Sequence, residues 1–381
     1  MMQSFVKSLL CCSVVALHTV STGVSYAAEP LVFISAFSGG EQGAIHAYRL
    51  DLETGRLELL ERTTTIENPF FFDLSPDGRF LYAVHAEKFG GDEFEEVAAF
   101  QLQGRTGKLT SLNSQSAHGS ATCYVAVDGT GQSVVAANYS SGSVASFRIK
   151  ADGSLEKAAS VIQHVGSSVN PKRQQGPYAH SIVVSPDNRF AFAADLGADR
   201  VFAYQLDSKT ARLTPNRQPW VRTPPGAGPR HLTFHPSGRF LYAINELTNS
   251  VTHFDYDAQN GSLIERETTS SLPADFDGVS YCADVKATPD GRFLYGTNRG
   301  HDSIAIYSVA DDGSLTVVDI VPSLGKGPQN LAITADGRLL LCANMPGDNV
   351  AVFRIDGQTG RLKAAGDPIS IPKPSCIKLL P

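Results

Sequence analysis

The sequence predicts an all-β fold: a seven-bladed β-propeller with four antiparallel strands in each blade. Three observations lead to this prediction. Two different turn motifs recur along the chain, both at a regular spacing, and the C-terminus carries a strand with no partner nearby in sequence. A period near 50 residues is typical of propellers and related repeat arrays. No stretch with a helical hydrophobic period of useful length interrupts the pattern.

The first recurring turn joins two strands with alternating apolar residues. In the clearest copy, apolar side chains alternate along 232–234 and 240–244, on either side of Pro236-Ser237-Gly238. Period-two alternation indicates half-buried strands, and Pro, Ser and Gly are favoured in turns. From Gly78 to Gly337 the motif takes five steps over 259 residues, about 52 residues per repeat. Its six copies are Pro76–Arg79, Asp128–Gly131, Pro186–Arg189, Pro236–Arg239, Pro289–Arg292 and Ala335–Arg338.

The second turn recurs out of phase with the first and has one copy more. Its seven copies are Thr54–Leu57, Thr106–Leu109, Asp152–Leu155, Thr210–Leu213, Asn260–Leu263, Asp312–Leu315 and Thr359–Leu362. The first unit, 31–65, therefore lacks its first strand, and the C-terminal segment Pro374–Pro381 is expected to supply it and close the ring. Closure removes open sheet edges. Two β-sandwiches would explain neither the even period nor the missing strand.

The N-terminus has the pattern of a signal peptide. Lys7 precedes the apolar run Leu9–Leu17, and Ser25-Tyr26-Ala27 resembles a cleavage site. We expect residues 1–27 to be a signal peptide and 28–381 to form one mature propeller domain, which is periplasmic or secreted. The run is too short to span a bilayer, so the alternative is a short uncleaved anchor.

Composition limits the possible partners. The formal net charge is −6 and no basic stripe occurs, which argues against nucleic acid and anionic membranes. We expect a monomer that does not bind a membrane after signal cleavage. No metal or cofactor is expected, because no ligand motif occurs. The four mature cysteines lie far apart in strand-like runs and are predicted to be small buried hydrophobes. They are Cys123, Cys282, Cys342 and Cys376.

Strand register predicts where chemistry could occur. In a propeller the first strand of each blade lines the central channel, so its start and the end of the second strand meet at one mouth. Counting from the turns places His180, Arg230, Glu246 and Arg299 there as candidate catalytic residues. An imidazole, a carboxylate and two guanidinium groups suit an anion site with a proton-transfer group. Structural ion pairs between blades are the alternative. The candidate substrate-binding residues are Tyr139, Asp195, Gln329 and Asn298.

Other polar residues have simpler interpretations. Four asparagines recur one residue before the end of the second strand, and this repetition favours capping of loops by the side-chain amide. They are Asn138, Asn245, Asn298 and Asn344. His231 follows Arg230, so alternation predicts that it points the other way and serves packing. His235 belongs to a turn on the opposite face.

Motifs along nearly the whole mature chain, from about residue 31 to 381, resemble the seven-bladed β-propeller lactonases. This family includes propeller-type 6-phosphogluconolactonases and fungal carboxy-muconate lactonising enzymes. The motifs are Ala137–Val144, Pro177–Ser181 with Asp195–Asp199, Gly228–His231 with Asn245–Leu247, Asn298–Arg299, and Ala343–Asn344 with Val352–Arg354.

The resemblance implies a hydrolase that opens a sugar-acid lactone, a small-molecule substrate. The family's His, Glu and two Arg fall on the four candidate catalytic residues. This implies that His180 is a general base, that the arginines hold an anion and stabilise an oxyanion, and that Glu246 orients a neighbour or is the alternative base. Two positions depart from the family pattern: Tyr178 replaces a frequent His, and Gln329 a frequent Arg. A non-catalytic propeller that binds a carbohydrate, a small anion or a protein remains the alternative.

Overall fold

The computed structural model describes Met1, residues 29–90 and residues 94–381, which form seven antiparallel sheets. The predicted seven-bladed propeller is confirmed. The predicted signal peptide lies outside the described residues, apart from Met1. In the described ranges no helix is long and apolar enough to cross a membrane, and the one helical element is a 3-10 turn at Gly40–Gln42.

The strands follow one another blade by blade. Blade 1 begins with β1 (Leu31–Ala36), β2 (Ala44–Leu50) and β3 (Leu57–Thr63); blade 2 has β4 (Phe72–Leu74), β5 (Phe80–His85), β6 (Glu96–Leu102) and β7 (Leu109–Ser116); blade 3 has β8 (Thr122–Val127), β9 (Ser133–Asn138), β10 (Ser143–Ile149) and β11 (Leu155–Gln163). Blade 4 has β12 (Ala179–Val184), β13 (Phe190–Asp195), β14 (Arg200–Asp207) and β15 (Arg212–Arg222); blade 5 has β16 (Pro229–Phe234), β17 (Phe240–Asn245), β18 (Ser250–Asp257) and β19 (Ser262–Ser270). Blade 6 has β20 (Tyr281–Ala287), β21 (Phe293–Arg299), β22 (Ser303–Val309) and β23 (Leu315–Pro322); blade 7 has β24 (Pro328–Ile333), β25 (Leu339–Asn344), β26 (Asn349–Ile355), β27 (Leu362–Ala364) and β28 (Ile369–Ser370); β29 (Pro374–Leu380) is the last strand.

The last strand closes the ring, as the sequence predicts. β29 pairs antiparallel with β1, with Leu31 opposite Leu380 and Ile34 opposite Ile377. The sheet of blade 1 therefore has the order β29, β1, β2, β3. The first strands of neighbouring blades pack against one another around the ring, and this arrangement forms the central channel.

The first recurring turn is a self-contained polar unit. In blade 2, Asp77 Oδ1 accepts hydrogen bonds from Ser75 Oγ at 2.6 Å and from the Arg79 backbone N–H at 3.1 Å. Arg79 Nε donates to the other carboxylate oxygen at 2.6 Å. Gly78 has φ +68°, a conformation that glycine adopts without steric cost. The same bonds recur in blades 4, 6 and 7, which explains why the motif repeats.

The two recurring turns also contact each other between neighbouring blades. Phe80 of the first turn in blade 2 packs on Gly153 of the second turn in blade 3, where a Cβ would lie 2.1 Å from the ring. Tyr82 Oη donates to the carbonyl oxygen of Gly153 at 3.0 Å. Phe240 and Tyr242 make the same contacts with Gly313. Both motifs therefore hold adjacent blades together on the face opposite the mouth.

The apolar core lies between the sheets, in clusters that join neighbouring blades. The prediction for the four mature cysteines is confirmed: all are buried, and none of them forms a disulfide in the described chain. Burial raises the pKa of all four thiols, and that of Cys123 rises to about 12. They are therefore protonated packing residues at neutral pH.

Candidate active site

A β-bulge at the mouth end of several first strands directs side chains towards the channel. In β12 the ladder passes from Ala179 to Ser181 and skips His180, and in β16 it skips Arg230 in the same way. The skip recurs at Cys123 and Gln329. A bulge changes the direction of a side chain and is common beside active sites. These four residues are among the first-strand positions counted from the turns. Each lies where the regular pairing with the second strand is interrupted.

Glu246 is the centre of the candidate site and contacts three arginines. Its Oε1 accepts from Arg173 Nη2 at 2.6 Å, while Oε2 accepts from Arg230 Nε at 3.1 Å and from Arg299 Nη2 at 2.9 Å. Burial alone would raise the pKa of Glu246, but the charges of Arg299 and Arg230 and the hydrogen bond from Arg173 outweigh burial and lower it. The carboxylate is therefore ionised, and the three cations around it leave excess positive charge.

Arg230 is almost completely buried, at 2% exposure. Its Nη1 donates to the carbonyl oxygen of Ala283 at 2.5 Å and to His231 Nε2 at 3.2 Å. Burial, together with the charge of Arg299, lowers the pKa of Arg230 to about 10, so the group is still protonated at pH 7. Among the hydrogen bonds of the described residues, none uses its Nη2. This nitrogen can donate to a ligand.

His180 is a buried imidazole held by a thiol. Cys123 Sγ lies 3.2 Å from the carbonyl oxygen of His180 and 3.5 Å from Nδ1. If the S–H donates to the carbonyl, the sulfur accepts from Nδ1–H, and Nε2 keeps a lone pair. Nε2 is 3.9 Å from Glu246 Oε2. Burial, followed by the charge of Arg230, lowers the pKa of His180 well below its ordinary value, so the ring is neutral at pH 7.

Arg299 is oriented by backbone carbonyl groups at the start of β20. Its Nη2 donates to Cys282 O at 3.0 Å and its Nε to Tyr281 O at 3.3 Å. Its Nη1 is 3.4 Å from Gln329 Oε1. Arg299 is more accessible than Arg230, because 26% of its side chain is exposed. Gln329 therefore lies at the mouth and supports an arginine.

Sequence reasoning missed Arg173, which reaches the mouth from the loop between β11 and β12. Besides Glu246, its Nη2 contacts Tyr139 Oη at 3.3 Å, and its guanidinium lies 5.8 Å from the Tyr281 ring centroid. Arg173 is a third cation at the mouth, where Gln329 occupies a position that is often arginine in the family that the sequence resembles. The loop lies outside the repeat, so strand register could not place it; the basic pair Lys172-Arg173 in a long insertion was the available signal.

Tyr139 lies at the mouth, whereas Asp195 and Asn298 do not have free polar groups there. The Tyr139 ring is 5.0 Å from both Tyr178 and His180. Asp195 is fully buried, and its oxygens accept from His164 Nδ1 at 2.7 Å and from the backbone of residues 178 and 198. Asn298 is also fully buried and bonds to Ser271 and Ser303. We therefore leave Asp195 and Asn298 out of the proposed site.

The predicted capping role is confirmed for three of the four recurring asparagines. The amides of three of them donate to a loop carbonyl and to a polar side chain five residues later, and that of Asn245 donates to Ser250 and Thr252. His235 also lies in its predicted turn, where it contacts Ser237 and Gly291.

The predicted orientation of His231 is wrong, although its ring does pack against Tyr124 and Phe71. The bulge at Arg230 interrupts the alternation of side chains, so His231 lies beside Arg230 instead of on the opposite side. Its ring is 5.6 Å from that of His180.

In residues 29–90 and 94–381, no group of three or more His, Cys, Asp or Glu side chains could hold a metal ion.

Fold and site together define a propeller protein in which three arginines surround one glutamate at the mouth, beside a neutral imidazole. Residues 31–379 match the family described as lactonase, 7-bladed beta-propeller. The chain therefore belongs to the seven-bladed β-propeller lactonases, and its relatives named 6-phosphogluconolactonase are lactone hydrolases.

Individual relatives agree with this assignment. The 6-phosphogluconolactonase of Bacillus subtilis is 34% identical over 350 residues, which cover 91% of this chain and 97% of the relative. The 6-phosphogluconolactonase of Formosa agariphila is 30% identical over 343 residues, which cover 87% of this chain and 94% of the relative. The structure of the periplasmic gluconolactonase of Pseudomonas aeruginosa matches with a TM-score of 0.86 and 32% identity, over 92% of this chain and 99% of that one.

Proposed function

We propose that this protein hydrolyses a sugar-acid lactone at the propeller mouth, with His180 as general base. The observation that carries the proposal is the convergence of three guanidinium groups on Glu246, within 3.9 Å of a neutral imidazole. Relatives named for 6-phosphogluconolactone and gluconolactone support this substrate class. The two differ by one phosphate.

The side chains of the three arginines differ in exposure, and this difference assigns them different roles. Arg173 and Arg299 have 35% and 26% of their side chains exposed, so they can contact the carboxylate, hydroxyl or phosphate groups of an incoming substrate. Arg230 is buried and its Nη2 is unused, which suits a donor to the oxygen of the lactone carbonyl. A fixed donor in a dry site stabilises the charge that develops on that oxygen.

His180 Nε2 is the acceptor for the attacking water. One O–H would donate to this nitrogen, which lies 3.9 Å from Glu246 Oε2. As the water oxygen bonds to the carbonyl carbon, its proton passes to Nε2 and the carbonyl oxygen becomes an oxyanion beside Arg230. The ring C–O bond then breaks, and the imidazolium returns the proton to the leaving oxygen, which gives the hydroxy acid.

Glu246 suits a supporting role better than that of the base. Both of its oxygens already accept from arginines, and its pKa is lowered by Arg299, Arg230 and Arg173 against the effect of burial. It neutralises part of their charge and holds them in place. His180 is the group whose ring is neutral and whose lone pair is available.

The mature protein, 28–381, is proposed to act as a monomer in the periplasm or outside the cell. The N-terminal signal pattern supports this location, and so does the relative named as a periplasmic gluconolactonase.

The test is hydrolysis of a lactone panel by the mature protein, with glucono-1,5-lactone and its 6-phosphate as principal members. His180→Ala should lower kcat/KM by about 10²- to 10⁴-fold with the fold intact. The matched control is His235→Ala, because His235 lies in a turn on the opposite face; it should keep full activity. Full activity of His180→Ala, or binding of lactones without hydrolysis by the wild type, would contradict the proposal.

A further inference from the structure

A continuous chain of polar contacts runs from the mouth through the channel to the opposite opening. Arg230 Nη1 is 3.2 Å from His231 Nε2, and His231 Nδ1 is 2.8 Å from Asp284 Oδ1. Lys286 Nζ donates to the same Asp284 oxygen at 2.8 Å. Lys286 lines a cavity of about 350 Å³ at the far opening, together with Lys378. The mechanism uses only the first member of this chain.

The protonation states determine which group donates and which group accepts in each of these hydrogen bonds. Burial alone would raise the pKa of Asp284, but the charge of Lys286 and the hydrogen bond from His231 hold it well below its ordinary value. Burial, followed by the charge of Arg230, lowers the pKa of His231 to about 3. A neutral His231 thus donates Nδ1–H to the Asp284 carboxylate, and its Nε2 lone pair accepts from Arg230.

The surroundings hold this pair in a fixed position. The His231 ring packs against Tyr124 at 5.0 Å and Phe71 at 5.8 Å. The second oxygen of Asp284 accepts from Asn330 Nδ2 at 2.7 Å and from the Leu331 backbone at 2.9 Å. Asn330 belongs to blade 7, so the carboxylate is anchored on the neighbouring blade. These contacts hold the His231 ring and its partner carboxylate in place.

We propose that His231 and Asp284 are positioning residues for lactone hydrolysis, which fix the Arg230 guanidinium so that its unused Nη2 donates into the mouth. The inference rests on the proposed function, in which Arg230 stabilises the oxyanion. Glu246 accepts from Nε, and His231 and the Ala283 carbonyl both accept from Nη1. Loss of His231 would leave one of the two Nη1–H groups unpaired, while Ala283 O still accepts from the other. The less constrained guanidinium would place Nη2 less accurately, and a misplaced donor loses transition-state stabilisation.

Packing alone does not require such pairing, as another buried histidine of blade 5 shows. His253 is 2% exposed, yet among the described residues neither of its ring nitrogens has a hydrogen-bond partner, and its Nε2 lies 3.7 Å from Asp255 Oδ1. His231, by contrast, uses both nitrogens. His253 is therefore a matched control for removal of a buried imidazole from the same blade.

A double-mutant cycle tests the proposal on the full mature chain. His231→Leu should lower kcat/KM for the lactone by about tenfold to a hundredfold in the wild-type background. The loss should fall mainly on kcat, because the fixed donor acts on the oxyanion. In the Arg230→Met background the same substitution should have no further effect, since it acts through the arginine. His231→Gln, which can still accept from Arg230, should restore part of the loss, and His253→Leu should keep full activity.

The outcomes separate this inference from the proposed function. An equal loss from His231→Leu in both backgrounds, or none in either, overturns the positioning role. If His231→Leu does not fold, Asp284→Asn replaces it, because a neutral amide no longer fixes the histidine tautomer and should lower kcat in the same coupled way.

If the wild type hydrolyses no lactone, the proposed function fails, and the cycle is measured by calorimetric binding of 6-phosphogluconate. Coupling between positions 230 and 231 in that binding supports the positioning role, and additivity overturns it.

Discussion

The two faces of the propeller use the same chemical pair, a carboxylate and a guanidinium, in opposite ways. On the face opposite the mouth, four turn aspartates each bind the arginine two residues later. In Asp77 and Arg79 the side chains are 47% and 66% exposed. At the mouth one glutamate faces three arginines, and Glu246 and Arg230 are 7% and 2% exposed. Exposed pairs contribute little to stability, whereas buried charges are costly to desolvate. An unbalanced buried cluster is therefore better explained by ligand binding than by stability.

The largest expected difference between the faces follows from removal of one carboxylate from each. Glu246→Gln leaves three arginines without their shared counter-ion, and loss of one partner from a buried pair costs about 3–5 kcal/mol. Asp187→Asn, in an exposed turn pair, should cost at most about 1 kcal/mol. Denaturant unfolding of both variants measures the difference. Equal losses of stability would remove the contrast between the two faces.

A second variant should destabilise the face opposite the mouth and leave activity at the mouth unchanged. Gly153 has φ +86°, and a Cβ there would lie 2.1 Å from the Phe80 ring. Gly153→Val should therefore lower the free energy of unfolding by about 2–3 kcal/mol. The folded variant should keep the wild-type kcat/KM at 25 °C, because this turn lies on the face opposite the mouth. A parallel loss of activity in fully folded protein would show that the faces are coupled.

The loop arginine should distinguish charged from uncharged substrates. Arg173→Met removes one accessible cation, and hydrogen bonds to charged groups contribute about 1.5–3 kcal/mol. We expect KM for the 6-phosphorylated lactone to rise about tenfold or more, with a smaller change for glucono-1,5-lactone. The matched control is Lys172→Met, one residue earlier in the same exposed loop. An equal rise for both lactones would mean that Arg173 does not contact the phosphate.

The pH profile gives the smallest expected effect. A neutral base loses activity as pH falls through its pKa, and burial and the charge of Arg230 hold the pKa of His180 well below 6.5. We therefore expect kcat/KM, after subtraction of uncatalysed hydrolysis, to be constant between pH 6 and 8 and to fall only at lower pH. An acidic limb centred at pH 6.5 or above would mean that His180 is charged at neutral pH, contrary to the buried environment.

The repeats explain why so much of the fold could be predicted. Each turn aspartate, arginine and glycine satisfies its own polar groups within a few residues, so the motif is visible in sequence and its period counts the blades. The same count placed His180, Arg230, Glu246 and Arg299 at one mouth, because all four lie at fixed offsets from a turn. It also grouped Asp195 and Asn298 with them, since offset alone does not show whether a polar group is already paired.

The sequence by itself determined the propeller, its closure by the last strand, and the four residues that converge on the mouth. Only the tertiary structure decided that Arg173 completes the cationic cluster and that His231 and Asp284 support Arg230. Arg173 lies on a long loop outside the repeat. The bulge at Arg230 moves its neighbour to the side that strand alternation excludes. Turns are local and periodic, whereas loop contacts and bulges depend on neighbouring blades.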